Sequence, residues 1–157
     1  MMDKNTYKVF QYIIDHPKDD LHLNVTSNMC PPDKKLKEKY FNMAQEICMQ
    51  GKVEHMMQFV SVDAFGKRAE YIRSGLDFNY MMDNVEEFLD RIPARNSITF
   101  ICTYNNLSIT SMDKLLQKIL DLRTAYSKTY QRVWFDVPLL RQPAWQQITM
   151  LPESYQS

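Results

Sequence analysis

The feature that most constrains this chain is an alternation. Short runs rich in β-branched and aromatic residues recur between longer stretches whose apolar residues fall at helical spacing. Strands separated by helices do not pair as hairpins, so the alternation predicts βα units and a parallel sheet. About four such strands can be read: Leu21 to Ser27, Met56 to Val62, Ser97 to Tyr104 and Arg132 to Val137. The fold class is α/β. A chain of 157 residues with 45% apolar and 12% aromatic content has enough material for one packed core.

The intervening helices are marked by their apolar stripes. Tyr7, Phe10, Ile13 and Ile14 share one face, which ends at His16-Pro17 because a proline ring cannot continue a helix. Pro31-Pro32-Asp33 starts a second helix, whose stripe of Leu36, Tyr40, Met43, Ala44 and Ile47 closes at Gly51. Asn79 is the expected cap of a third, carrying Met81, Met82, Val85, Phe88, Leu89 and Ile92 up to Pro93. Thr110 or Ser111 should cap a fourth, with Leu115, Leu116, Ile119, Leu120 and Leu122 on its buried side. Asp63 to Asp77 reads as one long irregular loop, and the Pro-interrupted tail after Pro138 as an edge strand from Trp145 to Met150.

Charge excludes some function classes. Nineteen basic residues balance nineteen acidic ones, so no net field draws the chain to a nucleic-acid backbone or an anionic membrane. No apolar stretch approaches the roughly 20 residues a membrane span needs, and Met1 to Asp20 lacks a signal peptide's apolar centre. A cytoplasmic location is the expectation. Cys30, Cys48 and Cys102 are odd in number and dispersed, which argues against a disulfide framework; the simplest role for Cys48 and Cys102 is as buried thiols. His16, His22 and His55 show no metal-ligand spacing, and no metal site is expected.

Parallel sheets hold ligands at the C-terminal ends of their strands, where connecting loops diversify on a rigid base. All four expected ends are polar: Thr26-Ser27-Asn28, Ser61-Val62-Asp63, Thr103-Tyr104-Asn105-Asn106, and Asp136 followed by Arg141. Ser, Thr, Asn and Asp also cap helices and close turns for purely local reasons. Their convergence on one rim, and a βα connection far longer than the usual 2 to about 6 residues after Ser61, favour a ligand site. Arg73 in that connection can present a planar fork to a carboxylate, and the Ser61 hydroxyl can bond the same ligand.

On these residues the chain resembles the radical S-adenosylmethionine (radical SAM) enzymes. Ser61-Val62-Asp63, followed by Tyr71-Ile72-Arg73-Ser74-Gly75, is similar to that family's fourth strand, which ends Ser-x-Asp before a Tyr-Ile-Arg-x-Gly-like loop. Val25-Thr26-Ser27-Asn28 resembles its third strand, with Met29 where the family has glycine. Ile98 to Asn106 resembles the fifth strand, and Val133 to Pro138 with Leu139 to Pro143 the sixth; the wording is closest to members that carry a C-terminal twitch domain. The resemblance implies an open parallel partial barrel of about four βα units, a fragment of the family's partial TIM barrel. It implies that Ser61 and Arg73 contact S-adenosylmethionine and that Asp63 shapes the loop. With their rim neighbours, the candidate cofactor contacts are Thr26, Asn28, Ser61, Asp63, Arg73, Thr103 and Asn105.

The family's CxxxCxxC loop, whose thiolates hold a [4Fe-4S] cluster, does not occur in the sequence, nor does its glycine-rich second strand. Residues 1–143 are thus expected to be the C-terminal portion of the radical SAM core, about strands three to six, and residues 144–157 the start of a C-terminal extension. A complementary N-terminal radical SAM polypeptide or an upstream segment would supply the cluster, and the isolated chain would be inactive. The alternative is a non-catalytic remnant or binding module with the same fold. A different parallel α/β enzyme using Asp63, Asp136 or His22 finds no nucleophile–base set or phosphate loop to support it.

Overall fold

The computed structural model describes residues 4–152. Residues 1–3, and 153–157 in the expected C-terminal extension, lie outside the described residues. The elements run α1 (Lys4–Asp15), β1 (His22–Ser27), α2 (Lys34–Met49), β2 (His55–Ser61), α3 (Lys67–Ile72), α4 (Phe78–Arg91), β3 (Ser97–Ile101), α5 (Met112–Tyr126) and β4 (Val133–Asp136). The four strands form one sheet in the order β1-β2-β3-β4, every pair parallel. This is the α/β class that the alternation predicts.

Sequential parallel strands joined by right-handed crossovers put every connecting helix on the same face. Contacts between the helices follow that order. Phe10 of α1 meets Tyr40 of α2 at 5.5 Å between ring centroids. Arg91 of α4 bonds Glu38, Asn42 and Gln45 of α2, and Lys118 of α5 pairs with Glu86 of α4 at 2.8 Å. Beneath this layer lie Leu23, Val25, Met56, Val60, Ile98, Phe100 and Val133, all buried. The opposite sheet face is more polar and less covered, with Thr26 exposed and Phe59, Ser61 and Ile101 half-buried. Register aligns Thr26 with Phe59 and Thr99, and Ser61 with Ile101 and Asp136.

Helix boundaries show which local signals hold. Asp33 caps α2, its Oδ1 accepting from Leu36 N at 2.8 Å, and Gly51 beyond the far end takes the left-handed φ of 64° that a C′ glycine allows. Helix α4 is capped by Asp77 rather than Asn79: Asp77 Oδ1 accepts from Tyr80 N at 3.0 Å. Phe78 packs on Phe65, and its amide donates to Glu70 Oε1 at 3.2 Å, so the first turn is already anchored one residue after Asp77. Ser111 stands at the N-cap of α5 without capping it; its hydroxyl accepts from Phe65 N and donates to Ser108 O.

Two further expectations fail. The stretch from Asp63 to Asp77 contains α3, and Trp145 to Met150 forms two single 3₁₀ turns, Ala144–Gln146 and Ile148–Met150, rather than an edge strand. What pairs beyond β3 and β4 is an isolated parallel bridge between Tyr104 and Leu139. Pro143 has no N–H to give a ladder, which leaves the tail to short local turns.

Candidate functional site

The site begins where β2 ends. Val62 N donates to Ile101 O at 3.1 Å, extending the pairing one step past Ser61 and delivering Asp63 to the C-terminal rim. Asp63 is buried, and its carboxylate is fully engaged. Arg73 Nε donates to Oδ2 at 2.7 Å, Arg73 Nη2 donates to Oδ1 at 3.0 Å, and Thr103 N donates to Oδ1 at 3.0 Å. One carboxylate therefore ties the connection after β2 to the connection after β3. Helix α3 brings Arg73 back to it: Arg73 is the C-cap residue, its amide bonded to Ala69 O.

Asp63 occupies the side-on edge of the guanidinium, Nε and Nη2, and the end-on edge bearing Nη1 stays unbonded among the described residues. Arg73 keeps 34% of its side chain exposed, so that edge is reachable. The hydroxyls of Ser61 and Thr103 likewise have no protein hydrogen bond among the described residues, and both residues are half-buried. This cluster has one committed anion, one half-committed cation and two available hydroxyls. Its chemistry is that of holding a carboxylate or polyol, not of abstracting a proton.

The end of β1 is held by a buried polar chain that the sequence did not single out. Tyr40 of α2 donates its hydroxyl to Gln58 Oε1 in mid-β2, and Gln58 Nε2 donates to Val25 O at 3.1 Å and Ser27 Oγ at 3.3 Å. Ser27 Oγ in turn accepts from Met29 N at 3.1 Å. Met29 has a φ of 52°, a left-handed conformation that bulky residues rarely adopt, at the position where the resembled family carries glycine. Its carbonyl is gripped by Asn84 Nδ2 of α4 at 2.6 Å, while Asn84 Oδ1, on a residue only 1% exposed, has no partner among the described residues. The only sequence signal for the chain was a glutamine inside the apolar run Met56-Met57-Gln58-Phe59-Val60.

The candidate contacts therefore separate. Ser61, Asp63, Arg73 and Thr103 share one hydrogen-bonded rim segment. Asn28 follows the last β1 residue, Ser27, which pairs with Val60, and its Oδ1 accepts from Cys30 N at 3.1 Å. Thr26 lies on the exposed sheet face below the rim. Asn105 is buried and spends its amide on its own loop, donating to Thr103 O and accepting from Leu107 N, both at 2.9 Å.

The cysteines do not converge. Burial pushes the Cys48 and Cys102 thiols up to about 12; for Cys102 the neighbouring Asp63 charge adds to the effect. Cys30 is half-buried, its thiol raised chiefly by burial while it donates to Asp77 O at 3.3 Å. Among the described residues, no three His, Cys, Asp or Glu side chains group so as to hold a metal ion. His22, bonded to Glu54 at 3.0 Å, and His55, bonded to Ser97 at 3.1 Å, sit at the opposite, N-terminal ends of the strands. No helix among the described residues is long and apolar enough to cross a membrane. Comparison with family models, curated proteins and solved structures finds no match to the chain.

Proposed function

We propose that this chain is part of a radical SAM enzyme and forms the carboxylate and adenosyl side of an S-adenosylmethionine site on a partial-barrel sheet. The observation that carries this is the Asp63–Arg73 fork, with the end-on edge of Arg73 left unbonded among the described residues, on the same strand-end rim as Ser61 and Thr103. A guanidinium anchored along one edge is pre-oriented to take a carboxylate along the other, and flanking hydroxyls suit a ribose. Asp63 serves as the positioning residue. The sequential parallel order β1-β2-β3-β4 supports a partial-barrel reading, in which β1 at its edge would accept the strand of a complementary N-terminal polypeptide or preceding segment.

The thiols here do not fit a cluster. Cys48 and Cys102 are buried with thiols raised to about 12, and Cys30 is far from both in sequence. Cluster ligands, and the redox chemistry, belong on this reading to residues outside these 157, in the cytoplasm. The same thiols favour the second reading, a binding module that keeps the site without the reaction.

Calorimetry with S-adenosylmethionine tests the site in either case. Arg73→Ala should weaken binding roughly ten- to a hundredfold, the loss of one charge-assisted contact worth about 1.5 to 3 kcal/mol. Arg73→Lys should rescue it only in part, because an ammonium lacks the fork. Equal affinity for wild type and a folded Arg73→Ala protein refutes the assignment.

A further inference from the structure

A cleft of about 680 Å³ opens between α3 and the start of α5, lined by none of the residues of the Asp63–Arg73 cluster. It stands on the connections that follow β2 and β3, the ligand-bearing side of a parallel sheet, and its size is typical of small-molecule sites. Its walls carry three cations, Lys67, Arg68 and Lys114, and no acidic residue. Glu70 outside the lining offsets one of them, bonding Lys67 at 2.7 Å. Arg68 Nη1 donates to Leu107 O at 3.1 Å, fixing its guanidinium between the two walls.

The placement of these charges runs against local electrostatics. Lys67 and Arg68 open α3 and Lys114 sits in the first turn of α5, where a helix's positive end disfavours cations. Glu70 and Asp113 share those first turns and Glu70 pairs with Lys67, so Arg68 and Lys114 are the cleft cations without a carboxylate ion pair among the described residues. An anion in the cleft would supply that partner. At the mouth, Tyr71 is 80% exposed, a large aromatic surface presented to solvent beside the cations, and the exposed Thr110 adds a hydroxyl.

We infer that this cleft binds a small phosphate ester bearing a planar ring, with the phosphate between Arg68 and Lys114 and the ring against Tyr71. The inference stands apart from the S-adenosylmethionine site: that ligand carries no phosphate, and the two sets of residues are disjoint.

The test uses the whole 157-residue chain with AMP, adenosine and inorganic phosphate as probes, titrated by calorimetry at low and moderate salt. AMP should bind at least about tenfold more tightly than adenosine, lose affinity as salt rises, and be displaced by phosphate. Arg68→Gln and Lys114→Gln, both at exposed positions, should each weaken AMP about tenfold or more without moving the unfolding midpoint. Tyr71→Ala should weaken AMP and leave phosphate unchanged, and Arg73→Ala should leave AMP unchanged. Equal affinity for AMP and adenosine, indifference to both cation variants, loss of AMP binding in Arg73→Ala, or no AMP binding at millimolar concentration each overturns the inference.

Discussion

Asp63 grips Arg73 through two hydrogen bonds, 2.7 and 3.0 Å long, while the same carboxylate receives the Thr103 amide at 3.0 Å. A single buried side chain thus sets both the direction of the guanidinium and the spacing of two rim segments. Removing it strands a backbone donor and frees a cation that is a third exposed. Asp63→Ala should cost about 1 to 3 kcal/mol, with Asp63→Asn milder because an amide oxygen still accepts from Thr103 N. Urea unfolding of the three proteins measures this; an unchanged midpoint in Asp63→Ala would show that the carboxylate does not organise the rim.

The buried chain from Tyr40 to Ser27 calls for a double-mutant cycle. Tyr40→Phe leaves Gln58 Oε1 without its donor inside the core, and Gln58→Leu leaves the Tyr40 hydroxyl and the Ser27 end of the chain without theirs. Each single change should cost roughly 1 to 3 kcal/mol, and the double change clearly less than their sum, since an apolar pair leaves nothing unsatisfied between these two side chains. Strict additivity in denaturant unfolding would mean the two residues do not share the bond.

The layer architecture was legible in the sequence because its signals are local. Strand runs such as Ile98 to Ile101 and stripes such as Leu115 to Leu122 carry their own periodicity, and Asp33 and Gly51 punctuate α2 by chemistry that acts within a turn. Helix α3 was not legible. It has six residues, of which Ala69 is buried, and it starts after Gly66 at a φ of 60°. Among the site residues, the partner of Arg73 depends on how α3 folds the chain back over ten residues, which no spacing rule encodes. Asn105 carries the same side-chain chemistry as a ligand contact, yet the geometry spends it on its own loop.

Thiol titration gives a pH prediction with a definite sign. Cys48 and Cys102 have an ordinary thiol value of 9.0 and are raised to about 12 in the fold. Across that window the unfolded chain has released protons that the folded chain retains, so stability falls as pH rises. Denaturation midpoints should therefore decline between the two values, and less steeply for a Cys48→Ala, Cys102→Ala protein. A thiol reagent should modify Cys30 first, and iron–sulfide reconstitution of the chain alone should give no stoichiometric [4Fe-4S] centre. About four irons per chain with matching sulfide would contradict this placement of the thiols.

Arg132 is a buried charge that bonds carbonyls rather than a carboxylate among the described residues, with Asp90 near enough to act on it electrostatically. It is 4% exposed, and its Nε, Nη1 and Nη2 donate to Asn96 O at 3.2 Å, Leu89 O at 3.0 Å and Ile92 O at 2.9 Å. Burial lowers its pKa from the ordinary arginine value, yet the guanidinium satisfies carbonyls that end α4 and lead into β3. Arg132→Met keeps much of the volume but leaves those carbonyls without donors, at about 1 to 3 kcal/mol each if none is re-solvated. A midpoint loss of less than about 1 kcal/mol would mean water replaces the guanidinium without penalty.

The sheet ends in two parallel edges, β1 and β4, and both carry apolar surface. Along β1, Val9 of α1 is half exposed over a shallow groove that includes Leu23 and Val25; along β4, Phe135 is 46% exposed beside Leu116 and Leu120 of α5. Unpaired backbone donors and acceptors flanked by such side chains are templates for another strand, and the edges carry neither a proline nor a bulge among the described strand residues to blunt them. Alone, the chain should therefore self-associate, and Phe135→Lys should shift it toward monomer by placing a charge on one edge. Multi-angle light scattering across a concentration series decides this. A wild-type chain that stays monomeric at high concentration would show that these edges are protected, and would remove the argument for a complementary strand along β1.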